Sequence, residues 1–115
     1  MSIIIKQATV VNEGKQFIAD VLINEGRIAK IDTHIETPIG TREIIAEGLH
    51  LLPGAIDDQV HFREPGLTHK ANIHSEARAA VAGGVTSFME MPNTVPAALT
   101  QELLEDKYAI AAQSS

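Results

Sequence analysis

The order of apolar patterns after residue 54 restricts the fold more than any other feature. Residues 51–62 read as a buried strand that closes in polar side chains, Asp57-Asp58-Gln59-Val60-His61-Phe62. A polar loop follows, and Asn72 is placed to N-cap a helix. The apolar positions of that helix, Ile73, Ala77, Ala80 and Val81, fall at i, i+4, i+7 and i+8. Gly83-Gly84 stops it, as a glycine in left-handed geometry does. Residues 85–91 read as a second strand and residues 92–96 as its loop. Thr100 then N-caps a final helix with Leu103, Leu104, Tyr108 and Ala111 on one side. Strand, helix, strand, helix is a βα repeat, and such a repeat builds a parallel sheet of the α/β class.

Residues 1–53 have another character. Ile3-Ile4-Ile5 with Ala8-Thr9-Val10-Val11, then residues 17–23, 28–31 and 42–46, read as short strands. Asn12-Glu13-Gly14-Lys15, Asn24-Glu25-Gly26-Arg27, a loop with Pro38 and Gly40, and Glu47-Gly48 separate them. Strands recurring every 8–12 residues or so predict a small antiparallel sheet. The expected organisation is therefore a small, incomplete β domain over 1–53 and a truncated α/β barrel over 54–115. A closed (β/α)₈ barrel takes roughly 250 residues, whereas only about 60 follow Gly54. Two βα units alone leave open strand edges. The chain is accordingly read as a fragment of a larger fold.

Composition narrows the function classes. Nine Lys and Arg against fifteen Asp and Glu give a net charge of −6. No basic stripe exists to neutralise phosphates, which argues against nucleic-acid and anionic-membrane partners. Without cysteine there is no disulfide scaffold and no thiolate zinc site, so a metal must be held by His, Asp, Glu or backbone oxygen. No apolar run reaches the ~18–20 residues of a membrane span. The amino terminus shows no basic leader with a cleavage site, so no signal peptide is expected and the cytoplasm is the default location.

The chemistry concentrates in residues 57–66. On a strand, Asp57, Gln59, His61 and Arg63 would share one face near the carboxyl end, where βα folds form their sites. A neutral imidazole is a good zinc ligand and an amide oxygen a weak one. The Arg63 guanidinium offers a planar fork suited to a carboxylate. Taken singly, each has a plainer reading: His61 as a strand histidine with a satisfied hydrogen bond, Arg63 as a surface charge, Asp57 as an acid bonded only to backbone. His69 and His74 read as loop and helix-start residues, His34 and His50 as solvated ones, and Glu64 and Glu90 as structural or surface ones. Gly83-Gly84 lacks the fuller glycine pattern of a phosphate loop.

Across nearly its whole length the chain resembles dihydroorotases of the amidohydrolase superfamily. The resemblance is carried by Ala19-Asp20-Val21-Leu22-Ile23-Asn24-Glu25-Gly26-Arg27-Ile28, Leu52-Pro53-Gly54-Ala55-Ile56-Asp57, His61-Phe62-Arg63-Glu64-Pro65-Gly66, Ala82-Gly83-Gly84-Val85-Thr86 and Met91-Pro92-Asn93-Thr94. It implies that residues 54–115 begin a TIM-type (β/α)₈ metal-dependent hydrolase barrel. It also implies zinc, one or two ions, with His61 as a ligand. The family has Asp-x-His-x-His here, so Gln59 stands in place of the first histidine, as a weak ligand, and Asp57 matches the leading acid as a supporting partner. Arg63 and Asn93 match the residues that bind the substrate carboxylate. The family's carboxylated lysine, later histidines and catalytic aspartate belong to later strands, so no catalytic group of that set falls within these residues and the chain alone is expected to be inactive.

The implied activity is reversible conversion of L-dihydroorotate to N-carbamoyl-L-aspartate, in pyrimidine synthesis. The implied partners are that small substrate, further copies of the chain, and aspartate transcarbamoylase. Allantoinases, hydantoinases and dihydropyrimidinases share the fold, but their substrates lack this carboxylate and give Arg63 little to hold. A non-catalytic paralogue is the third reading, motivated by Gln59.

Overall fold

The computed structural model describes residues 1–114. Ser115, the last residue of the second expected segment, lies outside them. The chain forms two compact units, Met1–Pro53 and another beginning at Gly54. No helix among the described residues is long and apolar enough to cross a membrane.

In the first unit β1 (Ser2–Asn12), β2 (Lys15–Asn24) and β3 (Arg27–Asp32) form an antiparallel meander. Glu13-Gly14 and Glu25-Gly26 make its two-residue turns, with positive φ at both central residues of each. That geometry matches the right-handed twist of the flanking strands. Val10, Ala19 and Val21 form the buried core, with Ile5, Ile23 and Leu51 packed against it.

The expectation of an antiparallel sheet fails for the remaining strands. β4 (Arg42–Ile45) and β5 (His50–Leu51) both run parallel to β1. The cause is the connection over residues 33–41, too long for a tight hairpin. It returns the chain to the end of the sheet where β1 begins, so Arg42 pairs beside Ile3.

A buried charge fixes that return. β1 carries one extra residue between Ile5 and Ala8, and Gln7 takes φ 57° there. The bulge directs Lys6 onto Asp20, whose side chain is wholly buried. The Asp20 carboxylate accepts from Lys6 Nζ at 2.6 Å, Gln7 N–H at 2.8 Å and Ile35 N–H at 2.9 Å. Lys6 Nζ also donates to the Ile35 carbonyl at 2.7 Å. Burial pushes the Asp20 carboxyl up, but the Lys6 ammonium and the backbone donors outweigh it and hold the group well below the usual carboxylate range.

The second unit contains β6 (Ala55–Val60), α1 (Ile73–Ala82), β7 (Val85–Glu90) and α2 (Gln101–Ser114). β6 and β7 pair in parallel, as the βα order requires. The Asn72 cap forms: its side chain accepts from Ser75 N–H at 2.8 Å, and Ser75 reaches back to complete a capping box. Thr100 caps α2 through Leu103 N–H. The left-handed residue after α1 is Gly84, with Gly83 still helical.

Val60, Phe62 and Ile73 form the core of this unit, with Ala77, Ala80, Ile110 and Ala111 against them. The Phe62 and Phe88 rings meet at 4.5 Å between centroids. Three expectations need correction. β6 is exposed along most of its length rather than buried, because a two-stranded sheet gives it one neighbour. Val81 is 69% exposed, so the inward face of α1 stops at Ala80. Leu104 and Tyr108 are also exposed, and α2 instead turns Lys107, 6% exposed, inward with Ile110 and Ala111.

Gly66 brings the loops after β6 and β7 into contact. Val95 N–H donates to the Pro65 carbonyl at 3.0 Å, and a Cβ on Gly66 would stand 2.1 Å from the Val95 carbonyl oxygen.

Two stability tests follow from these contacts. Asp20→Asn should destabilise the chain by about 3–5 kcal/mol in urea unfolding at pH 7, because it leaves Lys6 buried without its counter-charge. The folded carboxyl is depressed, so its contribution is whole above the ordinary aspartate pKa of about 3.9 and is lost as pH falls further. The gap between wild type and mutant should therefore shrink below pH 4; a gap undiminished at pH 2 would refute this account. Gly66→Ala should cost about 1–3 kcal/mol more than Gly40→Ala, through overpacking against Val95. Both glycines have positive φ, but only Gly66 has a neighbour in the way. Equal unfolding midpoints for the two variants would show that the loops part without penalty.

Candidate functional site

Parallel pairing brings the carboxyl ends of β6 and β7 side by side. Beyond the last strand residues, Met91 N–H donates to the Val60 carbonyl at 3.0 Å. Residues 61–67 and 91–98 then leave the sheet at the same end.

The strand that was expected to reach Phe62 stops at Val60. Its pairing also slips between Asp57 and Val60, which face Phe88 and Glu90. Three steps on one strand match two on the other, so simple alternation does not run from Asp57 to Arg63. The expected single face of Asp57, Gln59, His61 and Arg63 is thus broken. Asp57 and Gln59 lie on β6, while His61 and Arg63 lie in the loop. The Asp57 carboxylate accepts from Gln59 N–H at 3.1 Å, a bond within its own strand. The Gln59 side chain is exposed.

His61 and Asn93 come together across 32 residues of sequence: His61 Nδ1 lies 3.0 Å from Asn93 Oδ1. With an amide oxygen as acceptor, Nδ1 carries the proton, and in the neutral ring Nε2 keeps its lone pair. In that tautomer Nε2 is the ring atom able to ligate a metal. Thr94, buried beside Asn93, donates through Oγ1 to the Pro96 carbonyl at 2.9 Å and stiffens the loop. Arg63 is half-buried, with φ 70°. A left-handed non-glycine residue costs about 1–2 kcal/mol, which the Leu67 N–H bond to the Arg63 carbonyl helps to offset.

Glu64 proves structural. Its Oε2 accepts from Ile73 N–H at 2.9 Å and completes the start of α1. Glu90 has more partners than a surface acid. Its Oε1 accepts from Phe62 N–H at 3.0 Å. Its Oε2, otherwise without a hydrogen-bond partner, faces the Lys107 ammonium. Lys107 Nζ also donates to the Met91 carbonyl at 2.8 Å. Burial pulls the Lys107 ammonium below its ordinary pKa. Sequence reading passed over Lys107, although it follows Leu103 by four residues and precedes Ile110 and Ala111 by three and four. A lysine inside an apolar stripe is the signal that marks it.

The other histidines stay apart from this site. His74 Nδ1 contacts the Ser114 carbonyl, His34 meets Glu36, and His50 and His69 are exposed. Among the described residues no three His, Asp or Glu side chains gather to hold a metal. A cavity of about 220 Å³ lies beside Glu90 and Lys107, lined by Ile73, Phe88, Leu104 and Tyr108, and includes none of His61, Arg63 or Asn93.

The chain spans about a quarter of the length of the known proteins it matches. It is 47% identical over 92 residues to a dihydroorotase of Streptococcus pneumoniae, covering 80% of this chain and 22% of that one. It is 37% identical over 116 aligned positions to an allantoinase of Deinococcus radiodurans, covering 100% of this chain and 26% of that one. An L-hydantoinase (dihydropyrimidinase) from Arthrobacter aurescens superposes with a TM-score of 0.90 at 27% identity, covering 96% of this chain and 25% of that one. The model of the family described as "Dihydro-orotase-like" matches residues 48–113. With more than half its length matched, and with His61 and Asn93 joined at the ends of paired parallel strands, the chain belongs to the dihydro-orotase-like family.

Proposed function

We propose that this chain forms the first part of a dihydroorotase, which interconverts L-dihydroorotate and N-carbamoyl-L-aspartate in pyrimidine synthesis. The observation that carries the reading is the His61–Asn93 bond, with Arg63 two residues along the same loop. Asn93 spends its oxygen on His61, so its amide NH₂ is free to donate to a substrate carboxylate. Arg63 supplies the charged fork for the same carboxylate. The two together would hold the ring amide in one orientation beside His61. The dihydroorotase of Streptococcus pneumoniae, at 47% identity, supports this substrate.

His61 would offer zinc its Nε2; in this reading Gln59, on β6, would be a weak neutral donor and Asp57 a supporting acid. Zinc held there would supply Lewis-acid polarisation of the ring amide. One imidazole and one amide make an incomplete donor set, so further ligands would come from other parts of a whole enzyme. In this reading β6–α1–β7–α2 are the first two βα units of a (β/α)₈ barrel, residues 1–53 belong to a composite β domain, and the full protein is a cytoplasmic homo-oligomer with aspartate transcarbamoylase as a candidate partner.

A second reading is a related cyclic amidohydrolase, favoured by the match of the whole chain to an allantoinase. Turnover of dihydroorotate against allantoin and hydantoin by the purified full-length protein separates the two. Dihydroorotate is the expected substrate, and turnover of allantoin alone would reverse the order.

Arg63→Ala should weaken binding of dihydroorotate by roughly 2–5 kcal/mol and leave zinc content near wild type, since a guanidinium is no ligand. Unchanged kinetics with dihydroorotate would remove the carboxylate assignment. Gln59→His should raise the zinc held per chain at limiting zinc, because imidazole is a better donor than an amide oxygen. Mass-spectrometric metal analysis of both proteins decides it: equal, full occupancy would show that Gln59 does not weaken the site.

A further inference from the structure

The loop bearing His61 and Arg63 and the loop bearing Asn93 are tied to one buried ion pair. Glu90 Oε1 holds the N–H of Phe62, the residue between His61 and Arg63. Lys107 Nζ holds the carbonyl of Met91, two residues before Asn93. The Glu90 and Lys107 side chains are 10% and 8% exposed and face each other. A backbone N–H on one loop, a carbonyl on the other, and two opposite charges between them form a closed bridge.

Hydrophobic packing alone would fill this place without the desolvation cost of two charges. What charges add is direction: a carboxylate accepts and an ammonium donates, each along a defined line. We propose that Glu90 and Lys107 are a positioning pair that sets the separation of the two loops and thereby the His61–Asn93 bond and the placement of Arg63. The inference rests on the dihydroorotase reading only for what the site binds. Neither residue is one of the groups proposed to hold the substrate; both act through the backbone at 62 and 91. Phe62, buried and packed at a tilt against Phe88, transmits the restraint, because its own side chain leaves the segment little room to adjust.

The test uses isotope-labelled full-length protein and its Glu90→Gln, Lys107→Met and Lys107→Arg variants. Gly84→Ala, which strains a left-handed residue at the opposite end of α1 and costs stability away from these loops, is the control. The His61 ring signals report its tautomer, and the Asn93 side-chain amide signals report the bond between them. Both sets should move in Glu90→Gln and Lys107→Met, return towards wild type in Lys107→Arg, and stay put in Gly84→Ala. KM for dihydroorotate should rise roughly ten- to a hundredfold in the first two variants, with a smaller change in kcat. Glu90→Gln keeps the size and the acceptor oxygen of the side chain, so folding is retained where a truncation would open a cavity. The pair is merely structural if Gly84→Ala moves the same signals, or if Glu90→Gln and Lys107→Met leave them in place. Should the wild type not turn over dihydroorotate, the substrate reading fails while the ring and amide signals still decide the role of the pair.

Discussion

Parallel pairing of β6 with β7 is the constraint on which the candidate site depends. Two strands running the same way release their loops at the same edge, so residues distant in sequence become neighbours there. An antiparallel pair would have sent the two segments to opposite ends. α1 makes the pairing possible, because a parallel connection needs a crossover. The Asn72 capping box fixes where that crossover begins, and Glu64 joins the same helix start to the loop of His61 and Arg63.

The first unit solves a related problem with charge instead of a helix. Its strands 42–45 and 50–51 must lie parallel to β1, yet no helix carries the chain back to the start of the sheet. The return is held at Ile35, whose N–H and carbonyl are taken by Asp20 and Lys6. An ion pair in that position fixes both polar groups of one residue in a crossover that has no helix to hold it. The bulge at Gln7 is part of the same device, since it directs Lys6 and offers its own N–H to Asp20.

Local signals were legible in the sequence, and pairings between distant segments were not. Asn72, Thr100 and the two glycine turns of the meander act over a few residues, so spacing alone located them. The resemblance singled out His61, Arg63 and Asn93 one by one, but nothing in the pattern joined the His61 imidazole to the Asn93 amide. The slip in pairing between Asp57 and Val60 was equally hidden, because a bulge is set by the partner strand. Alternation therefore put Arg63 on a strand it never reaches. Lys107 escaped notice because periodicity ranks a lysine as outward, whereas here the long stem carries its charge inward to an acid on β7.

The left-handed backbone at residue 63 bears on which side chains the site tolerates. Two filters act there at once. The proposed carboxylate contact asks for a cation with a planar fork, while the backbone penalises branching at Cβ and favours glycine or asparagine. Arginine, unbranched at Cβ, meets the first demand and bears the second at modest cost. Drift at this position is consequently channelled: residues that relax the chain discard the charge, and lysine, which keeps the charge, gives up the fork. The allowed alphabet at 63 is narrowed by geometry before any substrate arrives.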